Sequence, residues 1–279
     1  MFPFRAILPE PPPVHVVDLG AMALHEWTPP YQSLLDAGLA RVTGFEPVAE
    51  ECQKLNTNAG ADHRYLPYAV GDGRVRTFCR CNEAMTSSLY EPNTPLVSLF
   101  NNLGELMRVV ERLSIQTHRL DDIPEVRDAD YLKLDIQGAE RDALEAATKV
   151  LSSVLVVHTE VEFVPLYEDQ PLFAEVDQLL RARGFCFHRF LGFAGRGFKP
   201  VVVENVNAMI SQMLWADAVY VRDWMQWGNL SPTELAKLSL ILHEVYRSYD
   251  LVPVALDHYD RQTGAGARSR YLGLLGSPD

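Results

Sequence analysis

The chain has 279 residues, 47% of them hydrophobic and 22% charged, as in an ordinary globular protein rather than a disordered or fibrous one. Its formal net charge of -12 argues against a nucleic-acid partner, because phosphate backbones are bound by positively charged surfaces. No run of eighteen apolar residues occurs and residues 1–13 lack a continuous apolar stretch. We therefore expect neither a membrane span nor a secretion signal, and a cytoplasmic location.

The four cysteines indicate neither a disulfide framework nor a metal site. Cys52, Cys79, Cys81 and Cys186 have no regular spacing, and the Cys79-x-Cys81 pair is not followed by a second Cys or His pair at zinc-site spacing. We expect free, mostly buried thiols and no metal.

The first 70 residues alternate between strand-like and helix-like patterns. Residues 14–19, 41–45 and 64–70 are short runs typical of strands, and helical spacing occupies 31–37 and 48–58. This order is typical of parallel strands covered by helices. It predicts an α/β fold with a mostly parallel, Rossmann-like sheet.

The middle of the chain is expected to carry an insertion. Residues 75–81 alternate like an added strand, and 82–113 are interpreted as an insertion over the sheet edge with a helix at 103–112. The sheet pattern then resumes with strands at 113–120 and 131–136, a helix at 139–150 and a central strand at 154–158.

The last third is predicted to complete the sheet and then become helical. A helix at 173–183 stops at Gly184, and 186–193 and 200–203 are expected to be a closing pair of strands. Farther on, Ser231-Pro232-Thr233-Glu234 has the pattern of a helix N-terminus.

These patterns predict three parts. They are an N-terminal arm (1–13), a cofactor-binding domain (14–205) and a mainly helical extension (206–279). The extension is expected either to cover the acceptor site or to form a homo-oligomer contact.

An acid and a glycine stand where the first predicted strand ends. Asp18 is followed by Gly20 and Ala21, at the edge of the sheet where open α/β folds bind ligands. The glycine would let the backbone approach a ligand, and the carboxylate could face an ammonium group. S-adenosylmethionine has such a group and a nicotinamide dinucleotide does not, so we predict that these three residues bind S-adenosylmethionine.

Two further strand ends are predicted to bind the same cofactor. Glu46, followed by Pro47, is placed to accept hydrogen bonds from ribose hydroxyls. Val70 and Asp72 are placed to meet an adenine edge. The alternative for Glu46 is a solvated strand-end carboxylate, and for Asp72 a turn that only reverses the chain.

The catalytic candidates end the next two strands. Asp135 closes an apolar strand at the presumed cofactor edge, so we predict that it orients the acceptor or acts as general base. His158 and Glu160 end the following strand; His158 is either a second candidate base or a core residue, and Glu160 either contacts substrate or serves a structural hydrogen bond. Glu140 is explained by the favourable dipole of a helix N-terminus.

The chain resembles the FkbM family of S-adenosylmethionine-dependent methyltransferases over about residues 14–205. The motifs that carry the resemblance are Val17-Asp18-Leu19-Gly20-Ala21, Phe45-Glu46-Pro47, Arg119-Leu120-Asp121-Asp122, Leu132-Lys133-Leu134-Asp135-Ile136-Gln137-Gly138-Ala139-Glu140 and Pro165-Leu166-Tyr167. The resemblance implies a class I methyltransferase fold and O-methylation of a hydroxyl on a small molecule or a glycan.

Three residues depart from the family pattern. Met22 and Leu24 stand where the first loop usually has asparagine and glycine, and Gln137 stands where glutamate is frequent. The altered loop motivates one alternative, a cofactor-binding protein that has lost catalysis. A second alternative, an NAD(P)-dependent oxidoreductase, is opposed because no Gly-x-Gly-x-x-Gly follows the first strand and no tyrosine has a lysine four residues on.

Six aromatic side chains could stack on a sugar ring. They are Trp27, Tyr90, Tyr167, Trp215, Trp224 and Trp227, and packing explains each of them equally well.

Overall fold

A computed structural model describes residues 2–20 and 28–276. Its strands are β1 (Val14–Leu19), β2 (Ala40–Phe45), β3 (His63–Leu66), β4 (Ala69–Val70), β5 (Val75–Cys81), β6 (Val109–His118), β7 (Tyr131–Leu134), β8 (Val156–Glu162), β9 (Phe185–Gly195) and β10 (Met213–Arg222). Its α-helices are α1 (Gln32–Asp36), α2 (Ala49–Asn58), α3 (Thr94–Val97), α4 (Leu103–Leu106), α5 (Glu140–Glu145), α6 (Val150–Ser153), α7 (Phe173–Ala182), α8 (Pro232–Glu244), α9 (Val252–Thr263) and α10 (Ala267–Leu275).

Seven strands of the described residues form the main sheet, in the order β3-β2-β1-β7-β8-β10-β9. The five strands from β3 to β8 run parallel, and β10 is antiparallel to both of its neighbours. Every residue of β1 and β7 is buried, because helices cover both faces of a parallel sheet. The predicted α/β fold is confirmed, as is the central position of the strand after residue 154.

The two faces of the main sheet have separate cores. One core packs Phe4 and Ile7 of the N-terminal arm, together with α8, α9 and α10, against β1, β7 and β10. The other packs α5, α6 and α7 against the opposite face. Within the described ranges, no helix is long and apolar enough to cross a bilayer.

The C-terminal helices therefore form a structural layer of the fold. Helix α8 begins at the predicted N-terminus, where the structure adds a reciprocal cap: Ser231 N donates to Glu234 Oε2 (2.8 Å), and Glu234 N donates to Ser231 Oγ (3.3 Å). Eight of its residues are buried. Within the predicted extension (206–279), Trp215 lines a cavity at the carboxyl ends of β1, β2, β7 and β8, whereas none of the described residues after Arg222 does. The oligomer contact stays a prediction.

The small sheet corrects the predicted insertion. Its order is β4-β6-β5, and β6 pairs antiparallel with β5 from Val75 to Cys81. The predicted helix at 103–112 ends at Leu106, and its second half belongs to β6. Local apolar spacing indicates a helix there, but the hydrogen bonds of a long cross-strand pairing decide the conformation.

Two predicted elements are broken. The strand at 64–70 is interrupted at Pro67, which has no N–H to continue a ladder, so β3 and β4 join different sheets. The helix at 139–150 is two short helices, α5 and α6.

The closing strand of the sheet lies later than predicted. Residues 200–203 are an exposed loop, and β9 pairs instead with β10. A run of valines resembles a buried strand, but Val201 and Val202 are more than half exposed. The sheet thus includes residues 213–222, inside the segment expected to be mainly helical, and the described helical part follows Arg222.

Candidate functional site

A cavity of about 720 Å³ opens at the carboxyl ends of β1, β2, β7 and β8. This size lies within the range of ~300–1,000 Å³ that is usual for small-molecule sites. One half is lined by the predicted cofactor residues Gly20, Glu46, Pro47 and Val70. The other half lies under the insertion between β5 and β6.

Gly20 is required by the close approach of β7. Its φ is +84°, and a Cβ at this position would lie 2.0 Å from the carbonyl oxygen of Asp135. Asp135 N also donates to Leu19 O (3.1 Å), so the ends of β1 and β7 are held together. The glycine both lines the cavity and permits this junction.

We predict that Gly20→Ala lowers the free energy of unfolding by about 2 kcal/mol or more, since it adds a clash to an unfavourable φ. Gly38→Ala is the matched control: Gly38 has φ +64° but nothing within 4 Å of its added Cβ. Urea denaturation of both variants measures the difference. Equal losses would contradict the role assigned to the junction.

Glu46 is a buried carboxylate at the end of β2 that lines the cavity. Its Oε1 accepts a hydrogen bond from Val48 N (2.8 Å), which fixes the side chain. Burial raises the pKa of Glu46, although the bond from Val48 opposes this effect. A carboxylate has about four acceptor sites, so Glu46 retains capacity for ribose hydroxyls.

The Asp18 side chain does not line the cavity, where the sequence predicted a cofactor-binding carboxylate. It contacts Lys133 Nζ at 3.2 Å and accepts a 2.6 Å hydrogen bond from the Tyr31 hydroxyl. The charge expected to face a cofactor ammonium is therefore matched inside the protein. Asp18 holds Lys133 instead.

Lys133 received no role from the sequence, although it precedes Asp135 by two residues on a buried strand. Burial alone would lower its pKa, but Asp18 and Asp135 together raise it. Its Nζ lies 3.8 Å from Asp135 Oδ2. A lysine inside an apolar strand needs a buried partner, and this requirement was the signal that could have identified the pair.

Asp72 belongs to a turn and does not line the cavity. It accepts hydrogen bonds from Arg74 N (3.0 Å), Thr117 Oγ1 (3.2 Å) and Arg76 (3.3 Å). Burial would raise the pKa of Asp72, and these bonds outweigh it and lower the pKa. The alternative of a chain-reversing turn is the correct one. Ala21, with Met22 and Leu24, lies outside the described residues.

Gln137 joins two carboxylates at the centre of the cavity wall. Its Nε2 donates to Asp135 Oδ1 (2.9 Å) and to Glu160 Oε2 (2.7 Å), and its Oε1 accepts from the buried Tyr167 hydroxyl (3.0 Å). All four residues line the cavity. Gln137 thus joins the predicted pair of Asp135 and Glu160, and Tyr167 holds Gln137. The sequence had indicated no catalytic role for either Gln137 or Tyr167.

The carboxyl groups here differ in environment. Burial, with Asp135 nearby, raises the pKa of Glu160 well above its usual range, and burial raises that of Glu162 similarly. The pKa of Glu140 rises to about 7, mainly through burial, and its Oε1 accepts from Ile136 N (2.8 Å). Burial thus favours the protonated form of Glu160, whereas the side chain of Asp135 is 37% exposed.

This difference predicts a pH dependence of stability. A raised carboxyl pKa means that the folded chain binds the proton more tightly, so stability falls as pH rises from the ordinary value of 4.5 toward the folded pKa. Glu162→Gln removes this loss, so we expect the variant to be about 1–2 kcal/mol more stable than the parent at pH 8 and equal to it near pH 4.

Urea denaturation across pH 4–8 measures this difference. Glu145→Gln, at a half-exposed position, is the control and should show no such trend. A stability difference for Glu162→Gln that does not change with pH would contradict the assignment.

His158 is a core residue, so its assignment as a second base is wrong. It does not line the cavity, and its Nδ1 is 3.1 Å from both the Tyr131 and the Tyr246 hydroxyls. Its Nε2 lies 3.6 Å from Asp217 Oδ2. The ring is thus held between two buried tyrosine hydroxyls and the partly exposed Asp217.

The second half of the cavity is largely apolar. Its lining includes Leu103, Leu106, Met107 and Leu166, beside Trp215. Trp215 and Tyr167 are the only two of the described aromatic candidates that line it; Trp27 lies outside the described residues. In the described part of the chain, no three Asp, Glu, His or Cys side chains form a group that could hold a metal.

Several comparisons with known proteins bear on this site. None of the curated proteins is a significant match to the sequence. Among solved structures, the magnesium protoporphyrin IX methyltransferase (ChlM) of Synechocystis PCC 6803 with bound SAM has 11% identity and a TM-score of 0.38, over 76% of this chain and 71% of that one.

Two other structures are similar to the same extent. An S-adenosylmethionine-dependent methyltransferase from Mesorhizobium loti has 11% identity and a TM-score of 0.37, over 78% of this chain and 95% of that one. The plantazolicin methyltransferase BpumL has 11% identity and a TM-score of 0.38, over 79% and 80%.

The family assignment rests on sequence. The Methyltransferase FkbM domain matches residues 18–187, more than half of the chain. This range runs from the end of β1 to β9 and includes Gly20, Glu46, Asp135 and Glu160. The chain belongs to the FkbM family of S-adenosylmethionine-dependent methyltransferases.

Proposed function

We propose that the chain methylates a hydroxyl oxygen of a small-molecule or carbohydrate acceptor. The observation that carries this proposal is the position of Asp135, whose partly exposed carboxylate lies between the cofactor half and the apolar half of one cavity. A hydroxyl must lose its proton as it is methylated, and a carboxylate within hydrogen-bond reach can accept that proton.

The residues of the cofactor half suit S-adenosylmethionine. Gly20 brings backbone close to the cavity, Glu46 offers acceptors for ribose hydroxyls, and Val70 and Phe45 add apolar surface for an adenine ring. When bound, this cofactor supplies a methyl group on an already activated sulfonium leaving group. The protein then has to position the acceptor and remove its proton.

The surrounding residues divide this work. Lys133 Nζ, 3.8 Å from Asp135 Oδ2, places a positive charge beside that carboxyl group, and the Gln137 amide fixes its direction. Glu160 is held by the same amide and its raised pKa favours the protonated form, so it orients the acceptor rather than acting as the base. Asp135 is the group we assign as general base.

The test is a product assay with S-adenosylmethionine and a panel of phenols, aliphatic alcohols and monosaccharides. We expect products that are heavier by one methylene and stable to mild alkali, as methyl ethers are and methyl esters are not. Binding of S-adenosylmethionine without any methylated product would favour the alternative of a cofactor-binding protein. Methylation on nitrogen or carbon alone would contradict the proposed oxygen acceptor.

The cofactor residues give a paired prediction. Glu46→Gln should weaken S-adenosylmethionine binding about tenfold, because a neutral amide accepts hydrogen bonds less strongly than a carboxylate. Asp72→Asn should leave the affinity unchanged, since Asp72 does not line the cavity. Isothermal titration measures the affinity of both variants for S-adenosylmethionine. Weaker binding by Asp72→Asn would indicate that Asp72 does contribute to the cofactor site.

A further inference from the structure

We propose that the methyl acceptor is an organic anion with an apolar body, and that Arg196 recognises its anionic group. This inference rests on the proposed function, because it concerns the apolar half of the same cavity, which we call the acceptor half. Arg196 directly follows β9 and lines that half. The recognised group is a carboxylate or a phosphate ester, which a guanidinium binds through paired N–H donors.

The guanidinium of Arg196 is held in place without being neutralised. It lies over the Trp215 ring, 5.3 Å from the centroid, and its Nη1 donates to Gly195 O (2.9 Å). Its Nε is buried and has no hydrogen-bond partner within residues 2–20 and 28–276. No carboxylate of those residues forms an ion pair with it. Burial lowers the pKa of Arg196, so its charge is maintained at a cost that an anionic ligand would offset.

A second cavity arginine shows the contrast. Arg80 also lines the cavity, but it forms a 2.8 Å ion pair with Glu111, and both side chains are about half exposed. Its charge is therefore satisfied by the protein itself. Arg196 is the lining arginine whose charge is left for a ligand.

The position of Arg196 assigns the anion to the acceptor rather than to the cofactor. Gly20 and Glu46 end β1 and β2, whereas Arg196 and Trp215 belong to the β9–β10 side of the sheet, beyond β8. The methionine carboxylate of the cofactor is the competing source of negative charge, and the experiment below separates the two.

The rest of the acceptor half sets the other properties of the ligand. Leu103, Leu106, Met107 and Leu166 present apolar surface, which suits a hydrocarbon or aromatic body better than a fully hydroxylated sugar. Burial raises the pKa of Glu160, which reduces its repulsion of an anion nearby. The acceptor thus combines a hydroxyl near Asp135, an apolar body and an anion at Arg196.

The experiment measures binding to protein saturated with S-adenosylhomocysteine. The probes are ω-hydroxydecanoate and its neutral primary amide, which share one shape and differ in charge. We expect the anion to bind at least about tenfold more tightly than the amide, as usual for a charge-assisted contact. In Arg196→Gln this preference should fall below about twofold, and Arg196→Lys should retain part of it.

The control is Arg108→Gln, which removes an exposed arginine that pairs with Glu105 outside the cavity. This variant should keep the full preference. Equal binding of the two probes by the parent protein, no binding of either, or an unchanged preference in Arg196→Gln would each overturn the proposal.

The affinity for S-adenosylhomocysteine separates the remaining possibilities. It should be the same in the parent and in Arg196→Gln, and a tenfold loss in the variant would assign Arg196 to the cofactor carboxylate and overturn the acceptor assignment. The anion preference is measured without turnover. A parent protein that prefers the anion but never methylates a hydroxyl would therefore refute the proposed function and leave standing only the recognition of an anion by Arg196.

Discussion

Asp135→Asn is expected to lower kcat for methyl transfer about 10²–10³-fold, within the range of ~10²–10⁴ that general-base catalysis contributes. The asparagine has nearly the same shape and can still interact with Gln137, but it cannot take up the proton of an acceptor hydroxyl. Affinity for S-adenosylhomocysteine should stay within about twofold of the parent, since the lost charge acts on the acceptor.

Glu160→Gln is the matched comparison for this variant. Glu160 shares the Gln137 amide with Asp135, but burial raises its pKa, and a neutral glutamine resembles the protonated form that this favours. We therefore expect a loss of less than about tenfold, on the scale of one uncharged hydrogen bond. If Glu160→Gln lost more activity than Asp135→Asn, the base would be Glu160, and the division of roles proposed for the two acids would be wrong.

Lys133→Met should have the largest effect on stability, lowering the free energy of unfolding by about 3–5 kcal/mol. The side chains of Lys133 and Asp18 are only 4% and 2% exposed, so the substitution leaves a carboxylate buried without its cation. Water cannot replace the lost partner at this depth, and the Tyr31 hydroxyl alone does not neutralise the charge. Urea denaturation measures the loss.

The double variant Asp18→Asn with Lys133→Met tests the cause. It removes both charges, so it should recover part of the stability lost by Lys133→Met alone. Arg141→Met is the exposed control: Arg141 pairs with Glu145 on a helix surface, where such pairs contribute about 0.3–0.5 kcal/mol. Strictly additive losses for Asp18 and Lys133 would contradict their pairing.

The cofactor end of the site follows from local pattern. The ends of β1 and β2 are marked by apolar runs that stop at a glycine and at an acid followed by proline, and parallel strands bring such ends to one edge. Gly20, Glu46, Pro47 and Val70 therefore line the cavity as expected. The same reasoning placed Asp135 and Glu160 at this edge.

The errors share a physical origin, which is that strand position does not say which partner a polar side chain meets. Asp18 and His158 lie on strands next to the site, yet the Asp18 side chain contacts Lys133 and the His158 side chain contacts Tyr131 and Tyr246. Tyr246 is 88 residues from His158 in the chain. A local sequence pattern cannot predict a contact between residues that are so far apart in the chain.

The sequence by itself determined an α/β chain with a mostly parallel sheet, its family, and the glycine and acids at its ligand-binding edge. Those features depend on local propensity and strand order, which can be predicted from short segments of the sequence. Only the tertiary structure decided that β6 pairs with β5, that β10 lies between β8 and β9, that Gln137 bridges Asp135 and Glu160, and that Arg196 lines the cavity. The physical reason is that long-range pairing and desolvation, rather than local spacing, set the partner and the charge of each buried polar group.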